Sequence, residues 1–181
     1  MKERIEIVAS GFGGQGVVRL GQIIGEAAVK QGLRVTMLKS HGTEMRGGYV
    51  RSQVVISNKN IDSPMCESPD YFVALSSAAY NRFKDTVSDN GIIIYDPTFV
   101  AEVDNSLKCT QTAFPAKELS EKHFNSALFA NTLVLGVMAK LIDILDKGVV
   151  MESILAIIPK FHERNREAFH LGYNYVNRTE S

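Results

Sequence analysis

Gly11-Phe12-Gly13-Gly14-Gln15-Gly16 places glycines at the first, third and sixth positions of a six-residue run. A run of this kind after a strand and before a helix cradles phosphate, because free amides at a helix N-terminus present partial positive charge to an anion. Gly13 and Gly14 would let the anion come close to the backbone. The competing account is a tight strand-to-helix turn that binds nothing. A dinucleotide site adds a demand, an acidic residue at the end of the second strand for the ribose hydroxyls. Here that position reads Met37-Leu38-Lys39-Ser40, with a lysine and no acid. This weakens NAD and leaves room for a ligand with extra phosphate. No Walker lysine follows the glycines, which argues against nucleotide hydrolysis.

The other chemistry-bearing residues are sparse. Cys66 and Cys109 are the only cysteines and form no CxxC pair, so a cysteine-ligated iron–sulfur cluster or structural zinc is not expected in this chain. The four histidines, His41, His123, His162 and His170, show no metal-ligand spacing and read as structural or solvated.

The elements that must position the glycine run follow from periodicity. Ile5 to Ser10 reads as a strand. Gly14 to Gln31 reads as a helix, with Val17, Leu20, Ile24, Ala27 and Ala28 on one face and Gly32 placed to stop it. Gly21 and Gly25, four apart, leave that helix a surface for close packing. Arg34 to Lys39 is a second strand, and the βαβ unit so formed implies a parallel pair with a right-handed crossover. Ser40 to Gly48 is a loop. Tyr49 to Ser57 is a strand reached too quickly for another helical crossover, so the sheet is expected to be mixed. Tyr71 to Leu75, Ile92 to Tyr95 and Cys109 to Ala113 read as further strands, with a helix over Ser77 to Val87.

The C-terminal third reads as helical. Helices are expected at Pro115 to Lys122, Asn125 to Leu145, Val150 to Ile158, and from Pro159 to about Gly172. The long one is apolar almost all round and is expected to be core or interface. The pattern is that of a three-layer α/β/α fold with a mostly parallel sheet in a single domain spanning the chain.

Composition agrees with an ordinary globular protein. The 181 residues are 45% hydrophobic and 22% charged, and 20 basic residues balance 20 acidic ones. Zero net charge argues against a broad basic surface for nucleic acid. No apolar run reaches the roughly 18 residues of a membrane span, and the opening residues do not resemble a signal peptide. A cytoplasmic protein is expected.

Several segments together resemble the gamma subunit of 2-oxoacid:ferredoxin oxidoreductases. They are the glycine run, Glu44-Met45-Arg46-Gly47-Gly48 before a strand, Ile61-Asp62-Ser63-Pro64, Phe114-Pro115-Ala116, the Asn131 to Gly136 stretch, and Asn165 through Gly172-Tyr173. The resemblance covers nearly the whole chain and is greatest to the small separate subunit of 2-oxoglutarate-type enzymes. It implies a complex that decarboxylates a 2-oxoacid, passes the acyl group to coenzyme A and passes the electrons to ferredoxin. Thiamine diphosphate and iron–sulfur clusters would sit on partner subunits, and this chain would bind and orient. Its gamma region is associated with coenzyme A. In that reading Gly11, Gly13, Gly14, Gln15 and Gly16 form the phosphate loop, and Lys39 or Arg46 holds a second phosphate by charge. Glu44 would repel phosphate and is assigned to loop stability or a subunit contact. Two alternatives remain at this point: a stand-alone NAD(P)-binding dehydrogenase, and an assembly subunit that binds no ligand.

Overall fold

The computed structural model describes residues 3–41 and 49–179. Six strands form one sheet: β1 (Arg4–Phe12), β2 (Arg34–His41), β3 (Tyr49–Ser57), β4 (Tyr71–Ala74), β5 (Ile92–Tyr95) and β6 (Thr110–Ala113). Their spatial order is β2-β3-β1-β4-β5-β6. The pairs β1/β4, β4/β5 and β5/β6 are parallel. β3 lies antiparallel between β1 and β2. The mixed, mostly parallel sheet agrees with the sequence pattern. The expected direct pairing of β1 with β2 does not: the two run the same way, but β3 fills the slot between them.

The alternation of the strands sorts the core into two layers. Ile7 and Ala9 of β1, Val54 and Ile56 of β3, Val73 of β4 and Ile94 of β5 face one side. On that side lie α1 (Val17–Lys30), α3 (Ala116–Phe124), α4 (Ala130–Leu141), α5 (Lys147–Ile157) and α6 (His162–Thr179). Val8, Phe72, Ala74 and Ile93 face the other side. Among the described residues, α2 (Ser77–Phe83) is the α-helix that covers them, through Tyr80 and Phe83, helped by Val100, Val103 and Leu107 from the chain after β5. The fold is α/β with one thick and one thin helical layer. β4 and β5 are apolar almost throughout because both of their faces are covered.

α1 ends where expected. Gly32 adopts φ 78°, and the Gly32 and Leu33 amides donate to Val29 and Ala28 carbonyls at 2.9 and 3.0 Å. Gly21 rests against Ser52 and Met37, so α1 sits close on β2 and β3.

The long helix expected over Asn125 to Leu145 is interrupted. Asn125 takes a left-handed conformation (φ 52°) that stops α3, and the Ser126 hydroxyl caps a short 3-10 turn by accepting from the Leu128 amide at 3.2 Å. α4 begins only after that turn, and Thr132 through Ala139 are all buried. The helix is therefore core. Leu128, 63% exposed, stands out from the turn before it, while Phe129 and Leu135 are 2% and 1% exposed.

The last helix also starts later than Pro159. Phe161 is left-handed (φ 58°), so 158–161 form a connection and α6 begins at His162.

Candidate functional site

The chain leaves β1 and β4 in opposite directions. α1 carries it to the β2 side over the thick layer, and α2 carries it to β5 over the thin one. Ligands of open α/β sheets bind in the crevice at such a switch point, outside the carboxyl ends of the strands. The glycine run lies at this place, and each of its residues has a separate job.

Gly11 makes room. A Cβ there would strike the Gln15 side-chain oxygen and lie 2.9 Å from Leu75 Cβ. Gln15 folds back through that space: its Oε1 accepts from the Phe12 amide at 2.6 Å, and its Nε2 donates to the Leu75 carbonyl at 2.8 Å. The side chain thus ties the turn to the end of β4. Gly14 and Gly16 are left-handed, with φ 87° and 71°. Gly16 also admits Asn131, whose Cγ would lie 3.2 Å from a Cβ at that position. Gly13 is open, and a Cβ there would meet nothing within 4 Å. A side chain at Gly14 would meet open space yet strain the backbone, so Gly14→Val would disturb the shape of the loop as well as any approach to it.

Gly16 caps α1, and the first intrahelical bond is Leu20 N–H to Gly16 O at 3.0 Å. The amides of Val17, Val18 and Arg19 precede it and have no intrahelical acceptor. Beside this helix start lies a cleft of about 560 Å³ lined by Gly14, Gln15 and Gly16, by the chain after β4, β5 and β6, by the start of α4, and by 158–161. Much of its wall is apolar, from Leu75, Phe99, Leu128, Phe129 and Phe161. Its charged residues are Arg19, Lys117, Lys160 and Asp96. Asp96 is buried and already engaged, accepting from the Thr98 and Lys117 amides at 2.9 Å each. Lys117 lies 3.9 Å from Glu121 and over the Phe99 ring. Arg19 and Lys160 make no ion pair among the described residues. The arrangement is an apolar cleft with a cationic rim at a helix N-terminus, suited to a ligand that joins phosphates to an apolar or aromatic part.

Of the residues expected from sequence, Gly14, Gln15 and Gly16 line this cleft, and Gly11 shapes it through Gln15. Gly13 belongs to the same turn but does not line the wall. Lys39 is exposed on the edge strand β2, in register with Ser52, and is not among the lining residues. Arg46, with Glu44, lies outside the described residues. Arg19, Lys117 and Lys160 are additions from the structure. One sequence signal was available for Arg19: a cation in the first turn of a helix opposes the helix dipole and asks for a reason.

Among the described residues, no group of three or more His, Cys, Asp or Glu side chains could hold a metal. The Cys66 thiol faces the Ile7 and Val54 carbonyls at 3.7 Å, and burial pushes its pKa up to about 12. No helix among the described residues is long and apolar enough to cross a membrane.

Comparison with known proteins identifies the family of the chain. Residues 6–175 match the family model described as pyruvate ferredoxin/flavodoxin oxidoreductase. The chain belongs to this family. Within the family it is similar to the 2-oxoglutarate synthase subunit KorC of Methanocaldococcus jannaschii, at 36% identity over 96% of this chain and 94% of that protein. The KorC subunit of Methanothermobacter thermautotrophicus is 34% identical over 96% of this chain and 95% of its own length. Among solved family structures, the gamma subunit of a keto/oxoacid ferredoxin oxidoreductase from Geobacter sulfurreducens superposes with a TM-score of 0.83 at 29% identity, covering 94% of this chain and 96% of that one. The 2-oxoglutarate:ferredoxin oxidoreductase of Magnetococcus marinus, solved with 2-oxoglutarate, coenzyme A and succinyl-CoA bound, gives a TM-score of 0.84 at 26% identity. There the match covers 96% of this chain and 31% of that longer one.

Proposed function

We propose that this chain is the gamma-type subunit of a 2-oxoglutarate:ferredoxin oxidoreductase, and that its cleft holds coenzyme A. The complex would convert 2-oxoglutarate and coenzyme A to succinyl-CoA and CO2 while ferredoxin takes up the electrons. Thiamine diphosphate and iron–sulfur clusters would act on the partner subunits, and this chain would supply binding and orientation. The observation that carries the reading is the cleft itself. The glycine turn at the start of α1, Arg19 and Lys160 converge on one space, and the one carboxylate lining it among the described residues is already engaged. Coenzyme A, with a pyrophosphate, a 3′-phosphate, an adenine and a long thiol arm, matches that combination. The near full-length relatives named as 2-oxoglutarate synthase subunits support the choice of 2-oxoacid.

The dehydrogenase alternative is disfavoured by the end of β2, where Lys39, Ser40 and His41 provide no acid for a ribose. The ligand-free assembly subunit is separated by experiment. In the reconstituted complex, Arg19→Ala is expected to raise the KM for coenzyme A by tenfold or more, with the KM for 2-oxoglutarate unmoved. A charge-assisted contact contributes about 1.5–3 kcal/mol, and roughly 1.4 kcal/mol is tenfold. Lys160→Ala should act in the same direction. Unchanged coenzyme A kinetics in both variants, with the complex intact, would make the chain a structural subunit.

A further inference from the structure

We infer that Phe161 is a stacking platform for the adenine of coenzyme A, and that Asn165 is the positioning residue that holds it in the cleft. This rests on the reading of the cleft as the coenzyme A site.

Phe161 is one of two non-glycine residues with positive φ among those described, at 58°. The left-handed region is unfavourable for a bulky aromatic side chain, and a residue kept there is over-determined by its surroundings. The surroundings are identifiable. Asn165 is 3% exposed, and its Nδ2 donates to both the Lys160 and the Phe161 carbonyls at 3.0 Å. Those carbonyls can only accept, which settles which way the amide faces, and its Oδ1 then accepts from the buried Thr132 hydroxyl at 2.7 Å. The Asn165 backbone amide also donates to the Phe161 carbonyl, at 2.9 Å. Both ends of this buried side chain are thus engaged, Nδ2 on the two residues at the cleft mouth and Oδ1 on α4.

The strain does not serve burial. The Phe161 side chain is 54% exposed, touching Phe129 edge-on with ring centres 6.1 Å apart. An aromatic ring held out to solvent by a buried polar clamp is a surface waiting for a planar partner, and adenine is the only aromatic ring of coenzyme A. The phosphates that flank adenine find Lys160 next to it in sequence. The glycine turn is close by through α4, where Asn131 packs on Gly16 and its neighbour Thr132 binds Asn165. The turn and the platform are therefore linked by two consecutive residues.

The test uses the reconstituted complex, with coenzyme A and with pantetheine, an acceptor that lacks the adenine and its phosphates. Phe161→Ala should raise the KM for coenzyme A roughly tenfold, more than it changes kcat. Phe161→Tyr, which keeps the ring, should bring it back close to the original value. Pantetheine should show the same KM with Phe161→Ala as with the original complex. Asn165→Asp, which removes both amide donors, should raise the coenzyme A KM without removing the ring. If that variant does not fold, the Phe161 series decides alone, since an exposed ring is not needed for folding. Equal losses for pantetheine and coenzyme A would overturn the proposal by assigning the ring to the thiol arm. Loss of a subunit from the Phe161→Ala complex on gel filtration would overturn it by assigning the ring to a partner chain. If Arg19→Ala moves the coenzyme A KM and Phe161→Ala does not, the site stands and the platform falls. If neither moves it, the coenzyme A reading fails with it.

Discussion

Gly172→Ala should destabilise the folded chain by about 3 kcal/mol and lower its thermal midpoint by roughly 6–12 °C. α4 and α6 cross backbone to backbone at Gly136 and Gly172. A Cβ on Gly172 would fall on the Leu133 carbonyl, with the carbonyl carbon 2.8 Å and the Leu133 Cα 3.0 Å away. A Cβ on Gly136 would fall on the Phe169 carbonyl and lie 2.6 Å from the Tyr173 nitrogen. These obstacles are main-chain atoms, so no rotamer change relieves them and one helix must move. The usual effect of Gly→Ala inside a helix is a gain of about 1 kcal/mol, which makes the sign of the result informative. Gly25→Ala is the control. Its Cβ would meet only Val35 Cγ1, at 3.4 Å, and the change should be neutral or stabilising by up to about 1 kcal/mol. Circular dichroism melts of the three proteins read the outcome. A neutral Gly172→Ala would contradict the crossing.

Glu6→Ala should destabilise by about 3 kcal/mol, and Glu6→Gln by about 1 kcal/mol. Glu6 is a buried carboxylate at the amino-terminal end of the sheet, opposite the cleft. Its Oε2 accepts from the Glu67 and Ser68 amides at 2.8 and 2.9 Å, and its Oε1 from Arg4 Nε at 2.8 Å. The Arg4 guanidinium continues to the Ser63 and Met65 carbonyls at 3.0 and 2.7 Å. Alanine would leave two amides and the Arg4 Nε without their acceptor, while glutamine keeps one acceptor oxygen. The loss should be local as well as global. Hydrogen exchange at Glu67 and Ser68 should accelerate more than at β4 or β5, and uniform acceleration would show that Glu6 does not hold this segment.

The elements with local signals were legible. β3 and β5 begin and end where their sequence pattern places them, and Gly32 stops α1, because alternation and a left-handed glycine are properties of a short stretch of chain. What escaped depends on distant residues. Strand adjacency is a long-range choice, so the pattern that correctly marks β1, α1 and β2 says nothing about a third strand entering between two of them. The apolar run from Asn125 to Leu145 reads as one helix because periodicity does not register a left-handed Asn125 followed by a capping Ser126. In the site, the glycine turn is visible as a motif. Arg19, Lys117 and Lys160 stand on three segments far apart in sequence and meet only after folding. Pro159 suggested a helix start, whereas the Asn165 side chain holds Lys160 and Phe161 outside a helix that begins at His162.

The insertion of β3 has a consequence for the order of assembly. β2 and β3 are near in sequence and pair over eight positions, from Arg34 with Ser57 to His41 with Val50. β1 must reach β3 across the whole of α1 and β2. Closing the shorter loop loses less chain entropy, so the hairpin is favoured to form first and to offer β3's free edge to β1. A chain that instead joins β1 directly to β2, as parallel neighbours over α1, closes the slot and leaves β3 without a place. It would have to unpair before it could proceed. The arrangement that local sequence pattern most readily suggests is thus the one that would trap the chain, and refolding speed becomes a contest between the hairpin and the crossover.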